Sequence, residues 1–165
     1  MTRASALTIL LAVAACGPAP DRTASNSAGA ALEAAATRTG LIVDPTRVNL
    51  VGAWARDTDR VCVVPAGPSS YRIGALVDYG PAQGCAASGT AERQGDRVDI
   101  RFGDCRFRAQ LVGDRMVFPA TMPHACHGLC TGRASLAALT VEHLSASRSE
   151  AVTLRAPDRT PLCPG

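Results

Sequence analysis

Hydrophobic and polar residues alternate most regularly between Arg97 and Phe118. Val98, Ile100 and Phe102 fall in one phase and Arg97, Asp99 and Arg101 in the other. After Gly103-Asp104, Cys105, Phe107, Ala109 and Leu111 alternate with Arg106, Arg108 and Gln110. A period of two marks a strand with one face buried. Gly-Asp between two such runs marks a two-residue hairpin whose first central residue takes a positive φ. Gly113-Asp114 repeats the signal and leads into Arg115 to Phe118. Two-residue loops set 102 opposite 105, 100 opposite 107 and 98 opposite 109, then 111 opposite 116 and 109 opposite 118. Every one of those positions is apolar. A slip of one residue in either hairpin would turn this face to water, so the pattern predicts a three-stranded meander with a defined register.

Upstream the apolar stretches are shorter and predict strands at Leu50 to Arg56, Arg60 to Val64, Tyr71 to Val77 and Cys85 to Arg93. Between them lie Pro65-Ala66-Gly67-Pro68 and Tyr79-Gly80-Pro81, where proline removes a ladder donor and glycine accepts turn conformations. After Pro119 the alternation dissolves. Ala134 to Leu144 suits a short helix or a strand, and the tail, with Pro157, Pro161, Cys163 and Pro164, reads as irregular. The expected fold is mainly β: a small antiparallel barrel or sandwich with a disulfide-pinned, partly irregular C-terminal region. Gly17 to Arg47, rich in Ala, Pro, Ser, Thr and Gly, reads as a tether in which Ser27 to Arg38 forms at most a transient helix.

The N-terminus changes the picture. A short apolar run, Ala6 to Val13, stands behind a single Arg3 and ends in Val13-Ala14-Ala15-Cys16. It is too short to span a bilayer, which takes roughly 20 residues, but it has the form of an export signal with small residues before the cut. The stretch resembles the lipobox of bacterial lipoproteins. That resemblance implies cleavage before Cys16, diacylation of its sulfur and anchorage in the envelope. Gly17 in place of an aspartate leans towards the outer membrane, with the protein facing the periplasm. The organisation so read is a signal peptide over 1–15, an anchor and tether over 16–47, and one β-rich domain over 48–165.

Removal of the signal peptide takes one of 17 basic residues and leaves 14 acidic ones, so the chain is near neutral and nothing points to nucleic acid. All the basic residues are arginine, which excludes Schiff-base, phosphate-loop and Ser-x-x-Lys chemistry. Beyond Cys16 six cysteines remain: Cys62, Cys85, Cys105, Cys126, Cys130 and Cys163. An even number in an exported chain reads as a disulfide framework.

Leu50-Val51-Gly52-Ala53-Trp54, followed by Cys62 and Cys85, resembles the opening of Inh-type metalloprotease inhibitors and related outer-membrane lipoproteins. The resemblance covers Leu50 to about Phe118. It implies an eight-stranded antiparallel barrel, one disulfide between cysteines at these separations, and protease inhibition by the N-terminal segment, here Ala24 to Arg47. A Cys62–Cys85 bridge would flank the Tyr71 to Val77 strand. For the rest, Cys105 on the core side of the meander is expected to bridge to the Cys126 to Cys130 turn, with Cys163 taking the remaining cysteine.

Four groups of residues have chemistry to offer. His124, Cys126, His127 and Cys130 are potential ligands for Zn²⁺ or Cu⁺, in a spacing that matches no closed zinc pattern. His143 beside Glu142, with Ser135 and Ser145, supplies the ingredients of a nucleophilic site without an elbow motif. Asp57 and Asp59 stand between arginines and read as a turn rather than a calcium loop. The outward phase of the meander holds Arg97, Arg101, Arg106, Arg108 and Arg115, with Arg101 opposite Arg106, and only Asp99, opposite Arg108, to answer them. Arginine binds phosphate and carboxylate through two parallel hydrogen bonds, so this face is the candidate anion site. The function expected is a lipid-anchored envelope binding protein, without cofactor, that inhibits a protease or lysozyme or binds anionic envelope components. The alternatives are an envelope-maintenance enzyme with a Ser/Cys-His site and metal binding at Cys126 to Cys130.

Overall fold

The computed structural model describes residues 22–41 and 43–164, with side chains from residue 28, so Cys16 and the lipobox lie outside the described residues. Eight strands form a closed antiparallel barrel in chain order: β1 (Gly52–Arg56), β2 (Asp59–Pro65), β3 (Ser70–Asp78), β4 (Gly84–Gln94), β5 (Arg97–Phe102), β6 (Cys105–Val112), β7 (Arg115–Val117) and β8 (Thr140–Ser145). β8 pairs back onto β1 and closes the ring, which leaves no sheet edge. The meander has the register that its alternation predicts: Phe102 opposite Cys105, Ile100 opposite Phe107, Val98 opposite Ala109 and Leu111 opposite Met116. Gly103 and Gly113 take φ of 59° and 62° at the two turns, and Gly95, in a third Gly-Asp turn between β4 and β5, takes 65°.

An eight-stranded barrel is just wide enough for side chains to fill. Here the fully buried Trp54, Val61, Val63, Ile73, Leu111, Met116 and Phe118 meet at its centre. The Trp54 indole donates to the Leu50 carbonyl at 3.0 Å, so the one tryptophan is buried with its N–H satisfied. At the end where the chain enters, Val48 and Leu50 close the interior. Arg93 holds that segment down, its two terminal nitrogens donating to the carbonyls of Val48 (2.5 Å) and Pro45 (2.8 Å). The far end is closed by the long β7–β8 connection, which includes a 3₁₀ helix (His124–Leu129) and sends Leu136 and Leu139 inward. The Ala134 to Leu144 stretch therefore divides: turns that plug the barrel, then a strand.

The bridges are Cys62–Cys163, Cys85–Cys130 and Cys105–Cys126. Cys105 does reach the cysteine-rich turn, but the expected Cys62–Cys85 bridge does not form, and Cys163 does not pair with the turn. The reason is facial. Val61 and Val63 point into the barrel, so Cys62 between them points out, whereas Cys85 joins the interior cluster. β3 separates the two strands, and no side chain crosses it from one face to the other. Cys62 instead meets the C-terminal segment, which runs from α2 (Arg148–Ala151) across the outside of the barrel. There it forms a second, smaller core of Val64, Ala151, Leu162 and the bridge itself. Before the barrel, α1 (Arg22–Arg38) is a regular helix of 17 residues, longer than the transient Ser27 to Arg38 helix expected of the tether. Among the described residues no helix is long and apolar enough to cross a membrane.

Candidate anion-binding face

The interior is filled, so chemistry open to a ligand lies on the outside of the barrel. All five candidate arginines of the meander are there and exposed. β5 and β6 set Arg101 opposite Arg106, Asp99 opposite Arg108 and Arg97 opposite Gln110. Arg108 and Asp99 form a cross-strand ion pair, the one on this face among the described residues, with Nε 2.6 Å from one carboxylate oxygen and a terminal nitrogen 3.3 Å from the other. That hydrogen bond holds the Arg108 guanidinium still more firmly protonated than usual. Gln110 turns to Asp96 at 2.5 Å.

The closed sheet adds neighbours that the meander alone does not reveal. β4 places Glu92 opposite Asp99 and Thr90 opposite Arg101, and β8 places Glu142 opposite Arg115. Three carboxylates, rather than the single Asp99 read from the sequence, therefore share the face with five arginines. Glu92 and Thr90 were findable: the Gly95-Asp96 turn, taken as a third two-residue hairpin, puts 92 against 99 and 90 against 101. What remains after these neighbours is narrower and sharper. Arg101 and Arg106 stand side by side across the β5–β6 ladder, and among the described residues neither guanidinium has a hydrogen-bond or ion-pair partner. They border a shallow cleft of about 550 Å³ with Thr90, Glu92 and Asp99. Cross-strand neighbours lie about 5 Å apart, so the two guanidinium groups can close on one anion from both sides.

Of the other candidates, Cys126, His127, Cys130 and Ser135 border one cleft of about 310 Å³, and the rest are dispersed. Cys126 and Cys130 are held in bridges and offer no thiolate, while His124 and His127 lie on the surface with ring centroids 5.2 Å apart. Among the described residues no three His, Cys, Asp or Glu side chains gather as a metal site. His143 is half-buried in the barrel mouth. Its ring stacks edge-on against Trp54 at 4.6 Å, with Nε2 3.1 Å from the Val51 carbonyl oxygen. Glu142, its neighbour along the strand, is exposed on the opposite face and cannot orient it. Ser135 and Ser145 each accept a hydrogen bond from a backbone N–H two residues on, so their oxygens serve turns. Asp57 is exposed in the β1–β2 turn. Asp59 enters β2, where partial burial raises its carboxyl pKa although the Asp78 N–H opposes the shift.

Fold and site together define a small disulfide-stapled β-barrel with a solid interior and an arginine-bearing outer face. No protein-family model, no curated protein and no solved structure matches the chain.

Proposed function

We propose that the protein is a lipid-anchored binding protein of the bacterial envelope, held by Cys16, that captures a phosphate- or carboxylate-bearing envelope component on its outer face. The observation that carries the binding half of this reading is the Arg101–Arg106 pair. Like charges placed directly opposite on a sheet are destabilising, so an anion seated between Arg101 and Arg106 would relieve a cost that the sheet otherwise bears. The filled interior supports binding on the outside rather than within. The anchoring half rests on Val13-Ala14-Ala15-Cys16, and six cysteines joined as three bridges suit an oxidising compartment.

The test is the double replacement Arg101→Ser, Arg106→Ser, with binding to lipopolysaccharide measured at low and moderate salt. The wild type should bind in a salt-sensitive way and the folded double variant at least about tenfold more weakly, as expected for the loss of a charge-assisted contact. Equal binding by the two, or wild-type binding indifferent to salt, removes the anion reading. The inhibitor form of this proposal, against a protease or lysozyme, keeps the support of an eight-stranded antiparallel barrel. It loses that of the Cys62–Cys85 bridge.

A further inference from the structure

Among the described residues six large hydrophobic side chains are exposed: Leu32, Leu41, Val43, Tyr79, Val112 and Leu144. Five of the six lie at one end of the molecule. Leu41, Val43 and Val112 line a single cleft of about 610 Å³ between the N-terminal segment and the β6–β7 turn, and α1 borders the same cleft through Glu33 and Thr37. Leu32 precedes Glu33 on that helix. Leu144 follows His143, whose backbone N–H donates to the Asp114 carbonyl in the β6–β7 turn at 2.9 Å. Tyr79 alone stands at the far end, in the β3–β4 turn. Exposed apolar residues are ordinary when scattered, whereas their collection at one end marks a surface that something covers.

The occupant follows from the chain that leads to this end. Cys16 is six residues before the start of α1, a span of at most about 20 Å, and the 17 residues of α1 add about 25 Å more before the chain reaches Leu41. We infer that this end of the barrel docks on the surface of a lipid bilayer, with Leu41, Val43, Val112 and Leu144 in the headgroup region. This inference rests on the lipid anchor proposed at Cys16. The chain joins the barrel at this end, so an acyl anchor holds the patch within about 45 Å of the membrane, and the apolar residues then decide which end turns to it. Arg38, Arg47 and Arg115 around the patch are interleaved with Glu33, Asp44 and Asp114, so docking depends on apolar contact and hardly on salt. The Arg101–Arg106 pair is at the other end of its strands, beside the Gly103-Asp104 turn, and so stands away from the bilayer surface, facing the periplasmic side.

Hydroxyl-radical footprinting tests the orientation through side-chain access. The acylated full chain is reconstituted in vesicles of phosphatidylethanolamine and phosphatidylglycerol and compared with the Cys16→Ser chain free in buffer. Labelling of Leu41, Val43, Val112 and Leu144 should fall severalfold in vesicles while Tyr79 is unchanged, and added salt should not restore it. In acylated Leu41→Asp, Leu144→Asp, two exposed positions whose replacement leaves the fold intact, Val43 and Val112 should be labelled as in buffer. Unchanged labelling in vesicles overturns the proposal. A loss of labelling that includes Tyr79 also overturns it, and so does protection of the free Cys16→Ser chain that grows with protein concentration, which would make a second copy the occupant. If metabolic labelling with fatty acid shows wild type unacylated, the anchor reading falls by itself. The same four side chains are then scored with wild-type chain added to vesicles, and lack of protection there ends the docking proposal too.

Discussion

Gly74 shows how one residue ties the two cores together. It sits in the middle of β3 with its missing side chain facing outward, and a Cβ there would lie 2.6 Å from the Leu162 carbonyl oxygen. The C-terminal segment can lie flat against the barrel only because this position is glycine, an outcome driven by close backbone approach rather than by φ. Gly74→Ala should therefore cost about 1–3 kcal/mol, the usual range for overpacking, and should loosen the Cys163 end rather than the barrel. Denaturant unfolding with proteolysis of the tail checks this, and an unchanged midpoint with an equally protected tail would mean that the segment has another seat. Arg93 works in the same way at the chain entrance, where one guanidinium satisfies the carbonyls of Val48, Pro45 and Gly95. Arginine in this chain thus has two uses, one that holds the fold together and one that leaves charge free on the outside.

At the scale of elements, the three bridges divide the work unequally. Cys62–Cys163 joins residues 101 apart and fastens the whole C-terminal segment, whereas Cys105–Cys126 closes only 21. In the chain-entropy account, loops of these sizes are worth about 4.7 and about 3 kcal/mol. Replacing both cysteines of a bridge by alanine should lower the melting temperature more for the first pair than for the last. The reverse order would mean that packing around the 3₁₀ helix outweighs loop closure. The elements also explain what could be read in advance. β5 to β7 were legible because their outer faces are polar, so that alternation reports the register. Val61-Cys62-Val63-Val64 was not, because the C-terminal segment covers the outer face of β2 as well and both phases are apolar. That loss of alternation hid which way Cys62 points, and with it the connectivity. β4 was blurred by Ala86, Ala87 and Gly89, small residues that report no face, so only the Gly95-Asp96 turn could have set Thr90 and Glu92 beside the arginines. β8 was ambiguous because Leu144 points outward.

At the scale of the whole molecule, a ring of strands with plugged ends leaves three distinct surfaces. One end carries α1 and the exposed apolar residues, one side is covered by the stapled tail, and the β4–β6 side offers charge to solvent. Closure of β8 onto β1 makes this division possible, since no edge remains to invite pairing with another chain. Binding on the outer face requires Arg101 and Arg106 to hold an anion as a pair. The most direct measurement is an NMR titration of the arginine side-chain Nε–Hε signals of the folded protein with inorganic phosphate. Arg101 and Arg106 should shift together and saturate with a common midpoint, while Arg108, already engaged by Asp99, stays in place. Equal small shifts across all the arginines, or a larger response at Arg108 than at the pair, would contradict the account.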